Sequence, residues 1–594
     1  MDFAIIGVLA VAVALLASGY FVRRNAPVAI ANAAQAIPAK SIAVLPFENL
    51  SDDKKNEYFV EGMQDLILTK LANIGSLKVI SRTSTEKYKS RPDNLKQVAA
   101  ELGVATILEG SVQKAGNQVL INVQLIDANS DSHIWAQSYT RTLDNVFNVE
   151  GDVAGKIADA LNAKLSSAET ARLASDLSSN NAANDLFLQA EYQANQGVTN
   201  YGAASFKSAI PLYRQAIAQA PTFALAYARL SHVQSELAWF GGDGMNVKQL
   251  NTDARSNAEQ ALKLAPNLPA AHLALGYSDY YGRSDYDGAL KAFAVALALR
   301  PNDPDALTAQ GYVERFQGRF DAALVSLQRA FALDPRKSER AFELGSTYMM
   351  MARYPDAEHW FRRALALDPH NLHARELLSL TIMFATGDIP GALAEMQGDD
   401  ATMKLMRTGL LTTQRKYQEA LTLLDSVPKE SGDSAGGDAM DRAELYRLMG
   451  DMARARPLYA EALPKLRAQV KNQQGFYNQA LAWNDVAAAE LGLGHIPQGL
   501  ATIAKSQVIG GKGHGLYHGN LKEANASLYA EARRPDLAVP LLTQALASPG
   551  IGRWYSPAML WLDPDWDPIR HDPRFQALLK QYAKYKPAVT YDTP

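Results

Sequence analysis

The sequence predicts two fold classes in one chain: an N-terminal transmembrane helix, a small α/β domain of βαβαβββα order, and then an all-α helical superhelix. Three observations support this prediction. Residues 3–22 carry no charge. Residues 41–165 alternate short apolar runs with amphipathic stretches. Beyond residue 220, a proline ends successive helical stretches at a nearly constant interval, which is the pattern of a repeat architecture.

Length and composition exclude several classes of protein. The 594 residues are enough for about three or four domains. A net charge of −3 argues against general binding of nucleic acid, which requires a basic face. The chain has no cysteine, so disulfides, zinc-thiolate sites and cysteine nucleophiles are excluded.

The uncharged segment at residues 3–22 predicts a membrane anchor over residues 1–24. As a helix it would span about 30 Å, the thickness of a hydrocarbon core. A cleaved signal peptide is the alternative, but Asp2 precedes the segment and Arg23-Arg24 follows it, which is unlike such peptides. Residues 25–40 are small and contain prolines, so they predict a tether.

Residues 41–165 predict the α/β domain. Apolar stripes at helical spacing and alternation at strand spacing give its elements in order, with a tight turn at Gly116-Asn117 between two hairpin strands. The predicted strands are 42–47, 77–80, the two hairpin strands and 133–139, and the predicted helices are 56–74, 95–102 and 143–165.

The turn after the first strand does not have the composition of an active site. Residues 46–57 contain no glycine, so neither a phosphate-binding loop nor a nucleophile elbow fits. Pro46 predicts a fixed turn, Phe47 a core side chain, and residues 51–53 local caps. The alternative is a binding groove at this strand end, with Asn49 and Ser51 exposed.

These residues also resemble a known family. The ordered motifs SIAVLPFENLSDD, EYFVEG, LKVISRTST and AAELGVATILEGSVQKAGNQVLINVQLIDANSDSHIWAQSY are similar to the TolB amino-terminal-like domain. The resemblance covers about residues 41–165. It implies a recognition module without catalysis, of a kind that is often placed beside tetratricopeptide repeats.

A polar linker at residues 166–183 precedes the predicted repeats, which extend over residues 184–548 and end in a capping tail at residues 549–594. The intervals between Pro266, Pro301, Pro335 and Pro369 are 35, 34 and 34 residues. A period of 34 residues with paired helices is typical of tetratricopeptide repeats. About eight helical pairs are expected, five of them clear, and Gly311 and Gly345 should lie where two helices pack closely.

In tetratricopeptide proteins the first helix of each pair lines a groove, and the side chains just after the small residue should face it. Aromatic residues, methionine and arginine are enriched at protein interfaces. The alternative for each of these side chains is packing between repeats. The partner-binding candidates are Tyr280, Tyr281, Tyr312, Arg315, Phe316, Met349, Met350, Met383 and Phe384.

Other motifs predict structural roles. Residues 509–520, IGGKGHGLYHGN, predict a loop between repeats, with an anion or metal site at Lys512, His514 and His518 as the alternative. Residues 562–575 place aspartates at a calcium-loop spacing but lack the required glycine and glutamate, so they predict capping turns. His370 and His373 are expected to be structural. We therefore expect no catalytic residues, no cofactor and no metal.

The sequence thus predicts a non-catalytic, membrane-anchored scaffold that binds a peptide or protein partner in the repeat groove and does not bind nucleic acid. The alternative is the sensory or regulatory half of a signalling protein whose output domain (winged helix, kinase or cyclase) is separate or missing. An envelope hydrolase is a weaker alternative. The expected location is the bacterial inner membrane, with the body in the periplasm. Arg23-Arg24 favours the opposite orientation, with the body in the cytoplasm.

Overall fold

The structure, a computed structural model, describes residues 37–591 apart from 89, 91, 93, 143–145, 147–148, 174–176, 201–202, 428–436, 472, 474–475 and 513–515. The described residues form two units. The N-terminal unit comprises Asn32–Glu314 and Asp321–Arg340, and the C-terminal unit comprises Arg315–Phe320 and Ala341–Pro594.

The apolar runs of residues 41–142 form a mixed sheet. Its strands are β1 Ser41–Val44, β2 Glu48–Asn49, β3 Lys78–Val79, β4 Thr106–Ala115, β5 Gln118–Asp127 and β6 Ser132–Thr142. The strand order is β3-β1-β4-β5-β6, and β2 also pairs with β4. β1 is parallel to β3 and β4, whereas β4, β5 and β6 are antiparallel neighbours. The predicted hairpin is confirmed, and Gly116 adopts the left-handed conformation that its turn requires (φ 59°).

Five helices accompany the sheet. They are α1 Glu57–Ala72, α2 Arg82–Thr85, α3 Leu95–Leu102, α4 Val149–Ala160 and α5 Ser167–Arg172. The apolar stripes of α1 and α4 join the inward-facing side chains of β5 in one core, and α3 packs in a smaller core with β1. Helix α4 is shorter than the predicted span of 143–165. The predicted linker contains α5, which begins with a capping box between Ser166 and Glu169.

The turn after β1 is a structural turn, as the sequence predicts. Phe47 is buried, and its ring lies 2.6 Å from the position that a Cβ on Gly110 would take. The Asp53 side chain accepts from the Lys55 N–H at 2.9 Å, and the Ser51 hydroxyl accepts from the Lys114 N–H at 2.9 Å. The buried Phe47 ring and these two hydrogen bonds fix the conformation of the turn.

Twenty helices between Asn181 and Leu546 follow one another as ten pairs in the described part of the chain, more than the eight expected. The first helices of the pairs are α6 Asn181–Asn200, α8 Ala224–Trp239, α10 Pro269–Tyr277, α12 Pro304–Phe316, α14 Ser338–Met350, α16 Leu372–Thr386, α18 Ala401–Thr413, α20 Gly437–Leu448, α22 Phe476–Gly492 and α24 His518–Glu531. The second helices are α7 Ala203–Gln219, α9 Val247–Leu264, α11 Tyr286–Leu299, α13 Phe320–Leu333, α15 Tyr354–Leu367, α17 Ile389–Glu395, α19 Tyr417–Asp425, α21 Met452–Val470, α23 Ile496–Gly510 and α25 Pro535–Leu546.

Glycines mark close helix crossings within the pairs. A Cβ on Gly311 would lie 2.8 Å from Leu327, and a Cβ on Gly345 would lie 2.7 Å from the Phe361 ring. Interiors this tightly packed do not accommodate an added methyl group without displacement. The prediction that these two positions need a small residue is confirmed.

The last 45 residues add short helical segments. Besides α26 Met559–Leu562 and α27 Pro573–Gln581, three 3₁₀ turns lie at Ile551–Arg553, Pro564–Ile569 and Ala583–Tyr585. Asp563 accepts from the Asp565 N–H at 3.0 Å and Asp572 accepts from the Arg574 N–H at 2.9 Å. Both aspartates begin helical turns, so the predicted capping role is confirmed.

The predicted membrane span at residues 3–22 and most of the tether lie outside the described residues. Among the residues that the structure describes, no helix is long and apolar enough to cross a membrane. The anchor at residues 1–24 therefore stays a prediction.

Candidate partner-binding site

A π-helical turn extends the first helix of the third pair. Helix α10 ends at Tyr277 and continues as the π turn Ser278–Gly282, which carries Tyr280 and Tyr281. Such turns are rare and frequently occur at functional sites. Asp279 in the turn is buried and forms an ion pair with Arg255 of α9, which ties the turn to the preceding pair.

The π turn completes a run of five stacked or neighbouring rings, here called the aromatic strip: His232, Trp239, Tyr277, Tyr280 and Tyr281. The His232 and Tyr277 rings stack at 4.6 Å, Tyr277 and Tyr281 at 5.5 Å, and Tyr281 and Trp239 at 4.7 Å. Tyr280 lies 4.8 Å from Tyr281 and 6.3 Å from Trp239. The strip thus joins the first helices of two successive pairs, α8 and α10.

One end of the aromatic strip is open to solvent. Trp239 is 54% exposed although it stacks on Tyr281, and its neighbour Phe240 is 46% exposed. Tyr277 and Tyr280 beneath them are buried, so the exposed indole rests on a fixed support. A preorganised aromatic ring of this kind can contribute contact area to a partner at a low cost in conformational entropy.

The strip also carries one carboxylate. Glu236 lies one turn before Trp239 on α8, and His232 Nε2 is 3.5 Å from its Oε1. Burial raises the pKa of Tyr277 and Tyr281 well above the usual value for tyrosine, and the Glu236 carboxylate raises both further. Both phenols therefore stay neutral hydrogen-bonding groups at any physiological pH.

The structure buries six of the nine predicted partner-binding residues and leaves three half-buried. Tyr281 and Tyr312 in the N-terminal unit and Phe316 in the C-terminal unit are half-buried. As binding residues, the nine stay a prediction. The buried six are Tyr280, Arg315, Met349, Met350, Met383 and Phe384.

In the C-terminal unit, the ends of the first helices contact the chain's own C-terminal part. Phe316 at the end of α12 meets the edge of the Tyr517 ring at 5.5 Å. The segment after α14 contacts Gly552, where a Cβ would lie 2.7 Å from the Ala352 nitrogen. A Cβ on Gly387, which caps α16, would lie 2.6 Å from Pro587.

The next first helix continues this pattern. Arg415 follows the end of α18 and donates to Asp567 at 2.8 Å. Four successive first-helix ends are thus covered from within the C-terminal unit by residues 517–587. Of the predicted residues in this unit, Phe316 contacts Tyr517 of the last repeat, and the Met349 carbonyl oxygen lies close to Gly552 of the tail.

Sequence reasoning missed Trp239, Tyr277 and His232. The candidates were restricted to four first helices from α10 onward, and Trp239 and His232 lie on α8 in the preceding pair. A signal was present, because Trp239-Phe240 begins the glycine-rich insert that lengthens this repeat. An exposed tryptophan beside an insertion in an otherwise regular array is a deviation that function can explain.

The remaining motif residues are only partly described. His518 begins α24, and its buried Nε2 atom forms no hydrogen bond with the residues that the structure describes. His514 lies outside the described residues. Within the described ranges, no group of three or more histidine, aspartate or glutamate side chains could hold a metal ion.

Comparisons with known proteins bear on each part of the chain separately. Residues 38–158 match the family model of the HilA/YgeH-like transcriptional regulator, second domain, so the resemblance to the TolB amino-terminal-like domain is not shown. Residues 278–339 and 317–381 match tetratricopeptide-repeat models. The repeats are therefore tetratricopeptide repeats, a class of protein-interaction module.

One curated relative is "Putative adenylate cyclase 3" of Rhizobium meliloti (strain 1021), which is 34% identical over 243 residues. The match covers 40% of this chain and 40% of that protein, so the chain spans less than half of the relative's length.

Solved structures similar to parts of the chain include tetratricopeptide-repeat proteins. PilW, a type IV pilus biogenesis factor, is 21% identical with a TM-score of 0.29, covering 41% of this chain and 98% of its own. A thermophilic tetratricopeptide-repeat protein of Thermus thermophilus is 20% identical with a TM-score of 0.28, covering 33% of this chain and 99% of its own.

Proposed function

We propose that this chain is a non-catalytic interaction scaffold that binds a peptide or protein partner on the aromatic strip of its N-terminal unit. Tetratricopeptide repeats support the class of function. The observation that carries the site is Trp239, which is exposed at 54% and stacked on Tyr281. Tryptophan and tyrosine on a rigid support are the residues that most often dominate the binding free energy of an interface.

Site-directed photo-crosslinking tests this proposal in the cells that make the protein. A benzophenone amino acid replaces Trp239 in one variant and Phe476 in a matched control, because Phe476 is a similarly exposed ring (48%) in the C-terminal unit. We expect a discrete crosslinked partner from position 239 and none of that mass from position 476. Equal crosslinking from both positions would contradict the assignment.

The partner identified in this way is then titrated against purified variants. Replacing Trp239 with alanine should weaken binding by about 30-fold or more, the effect of a residue that dominates an interface. Phe476→Ala should leave the Kd unchanged. A Trp239→Ala variant with wild-type affinity would show that the partner binds elsewhere.

A second candidate function is the sensory or regulatory half of a signalling system. The 34% identical relative whose name refers to adenylate cyclase favours it, as does the match of residues 38–158 to a domain of a transcriptional regulator. In this function the scaffold would convey partner binding to an output domain. Native complexes purified through this chain should then contain cyclase activity or a DNA-binding protein.

We further propose that residues 3–22 anchor the chain in the bacterial inner membrane with its body in the periplasm. The chain has no cysteine, so Val508→Cys introduces a single thiol at an exposed position (66%). Labelling by a membrane-impermeant maleimide in cells with a permeabilised outer membrane would support the periplasmic orientation. Labelling only after lysis would place the body in the cytoplasm.

A further inference from the structure

Arg553, which forms no ion pair with a carboxylate of the described residues, lies in the C-terminal unit beside the second half of the glycine-rich motif. Arg553 ends the 3₁₀ turn Ile551–Arg553. Gly552 in this turn approaches the backbone after α14 so closely that a Cβ would lie 2.7 Å from the Ala352 nitrogen. This contact fixes the turn, and with it the origin of the Arg553 side chain.

Two neighbouring N–H donors at this turn lack acceptors. Arg553 Nε and Trp554 Nε1 are both buried and form no hydrogen bond in the part of the chain that the structure describes. The Arg553 guanidinium lies 5.2 Å from the Trp554 ring. Buried donors are nearly always paired in folded proteins, so an adjacent pair without acceptors among the described residues suits an acceptor that a ligand supplies.

Nearby carboxylates are already engaged with other cations. Glu343 Oε2 accepts from Arg315 at 2.7 Å. Glu376 lies 3.8 Å from His373 and raises the pKa of that imidazole through a hydrogen bond and charge. For Arg553, burial lowers the pKa most and the positive charge of Arg315 lowers it further, while Glu343 and Glu376 act in the opposite direction.

Aromatic rings form the surroundings of this arginine. Tyr517 stacks on Tyr477 at 4.4 Å, meets the edge of Phe316 at 5.5 Å and lies 6.0 Å from Trp554. The adjacent His518 presents a buried Nε2 without a hydrogen bond in the described structure. A cation among rings is poorly solvated, and an ion pair formed there is stronger than the same pair in water.

We propose that Arg553, with Trp554 Nε1 beside it, binds the carboxylate of an acidic residue in a peptide partner. The planar guanidinium fork matches a carboxylate with two parallel hydrogen bonds. A single cation whose nearest carboxylates are engaged with other groups fits one negative charge, which favours a carboxylate over a doubly charged phosphate. That the ligand is a peptide rests on the proposed function, whereas its carboxylate follows from the two hydrogen-bond donors.

The test uses the purified full-length protein and two matched probes. N-acetyl-L-glutamic acid α-amide carries one carboxylate, and N-acetyl-L-glutamine α-amide is its neutral isostere. We expect a Kd of about a millimolar for the first probe, as is usual for so small a ligand, and at least tenfold weaker binding of the second. Inorganic phosphate at equal ionic strength should bind more weakly than the glutamic acid probe.

Variants then assign the site. Arg553→Gln should weaken binding of the carboxylate probe at least tenfold, whereas Arg574→Gln, which removes an exposed arginine of the same tail, should leave it unchanged. Without probe, Arg553→Gln should keep the melting temperature or raise it, because it removes a charge that burial disfavours. Arg553→Lys keeps the charge but loses the fork, so it provides a folded variant with weakened binding if Arg553→Gln fails to fold.

Three outcomes would overturn the proposal: equal binding of the two probes, tighter binding of phosphate than of the carboxylate probe, or unchanged binding by both Arg553 variants. Failure of the proposed function looks different. In that case Trp239→Ala would leave partner capture intact, and binding of the glutamic acid probe at Arg553 would be unaffected.

Discussion

Replacing Trp566 with alanine should destabilise the C-terminal unit more than any other single truncation in the tail. The indole is completely buried in the 3₁₀ turn Pro564–Ile569. Its ring stacks with Phe575 at 5.9 Å and meets Tyr555 edge-on at 6.3 Å. Its Nε1 donates to the Tyr555 hydroxyl at 2.6 Å.

The magnitude follows from these contacts. Truncation of a buried tryptophan costs about 3–5 kcal/mol through lost transfer free energy and the remaining cavity. The Tyr555 hydroxyl also loses its partner, which adds about 1 kcal/mol. We therefore expect a loss of about 4–6 kcal/mol, equivalent to a fall in melting temperature on the order of 10 °C for a unit of this size.

Hydrogen exchange measured by mass spectrometry is the appropriate assay, because the two units need not unfold together. Protection should fall in α24 and in the tail, and stay unchanged in the sheet of the N-terminal unit. Trp239→Ala is the matched control, since that exposed indole should cost less than about 0.5 kcal/mol. A loss below about 1 kcal/mol for Trp566→Ala, with unchanged exchange in α24, would refute the packing of the tail.

Three further perturbations test other parts of the structure. Gly345→Ala forces a methyl group against the Phe361 ring, so it should lower the free energy of unfolding, measured in urea, by about 1–3 kcal/mol. An unchanged free energy of unfolding would contradict the close packing of this helix crossing. Asp334→Ala removes the acceptor of two hydroxyl groups on α2 and should lower exchange protection of Arg82–Thr85 at least tenfold, with unchanged protection as the contrary result. Burial raises the pKa of Glu523 to about 8, whereas the unfolded chain releases that proton from about pH 4.5, so the free energy of unfolding should fall as pH rises from about 4.5 to 8. Glu523→Gln should recover about 2 kcal/mol at pH 8 after allowance for solvent screening. The same pH dependence in Glu523→Gln as in the wild type would contradict the shift.

Much of the fold follows from local pattern. The apolar stripe of α1, the alternation in β5 and the left-handed Gly103 that ends α3 all depend on residues close in sequence. The 34-residue period likewise identifies the helix crossings, because Gly311 and Gly345 occupy equivalent positions of successive repeats. Such features could be predicted because the same few residues determine both the pattern and the structure.

The candidate sites could be predicted only in part. The sequence predicts Tyr280 and Tyr281 because they follow the small residue of a helix crossing, yet the exposed ring of the strip is Trp239, in the preceding pair. The stack between Trp239 and Tyr281 depends on the π turn after α10, which shifts the positions of the side chains that it carries. Such a turn produces no periodic pattern in the sequence. Arg553 was missed for a related reason: its distinguishing feature is a buried Nε without an acceptor in the described part of the chain, which only the folded structure reveals.

The tail explains why one repeat pattern can lead to two different surfaces. In the C-terminal unit, residues 517–587 contact the C-terminal ends of four first helices, α12, α14, α16 and α18. A helix end in such a contact can bind a partner only if the tail is displaced. This displacement costs free energy because it exposes the buried Trp566. The aromatic strip already exposes Trp239, and the turn at Arg553 leaves two donors without acceptors although it belongs to the covering segment. Binding at Trp239 therefore needs no unfolding of the tail, so a Trp566→Ala variant should weaken the C-terminal unit and still crosslink its partner through position 239. Loss of that crosslink in Trp566→Ala would mean that the tail itself takes part in recognition.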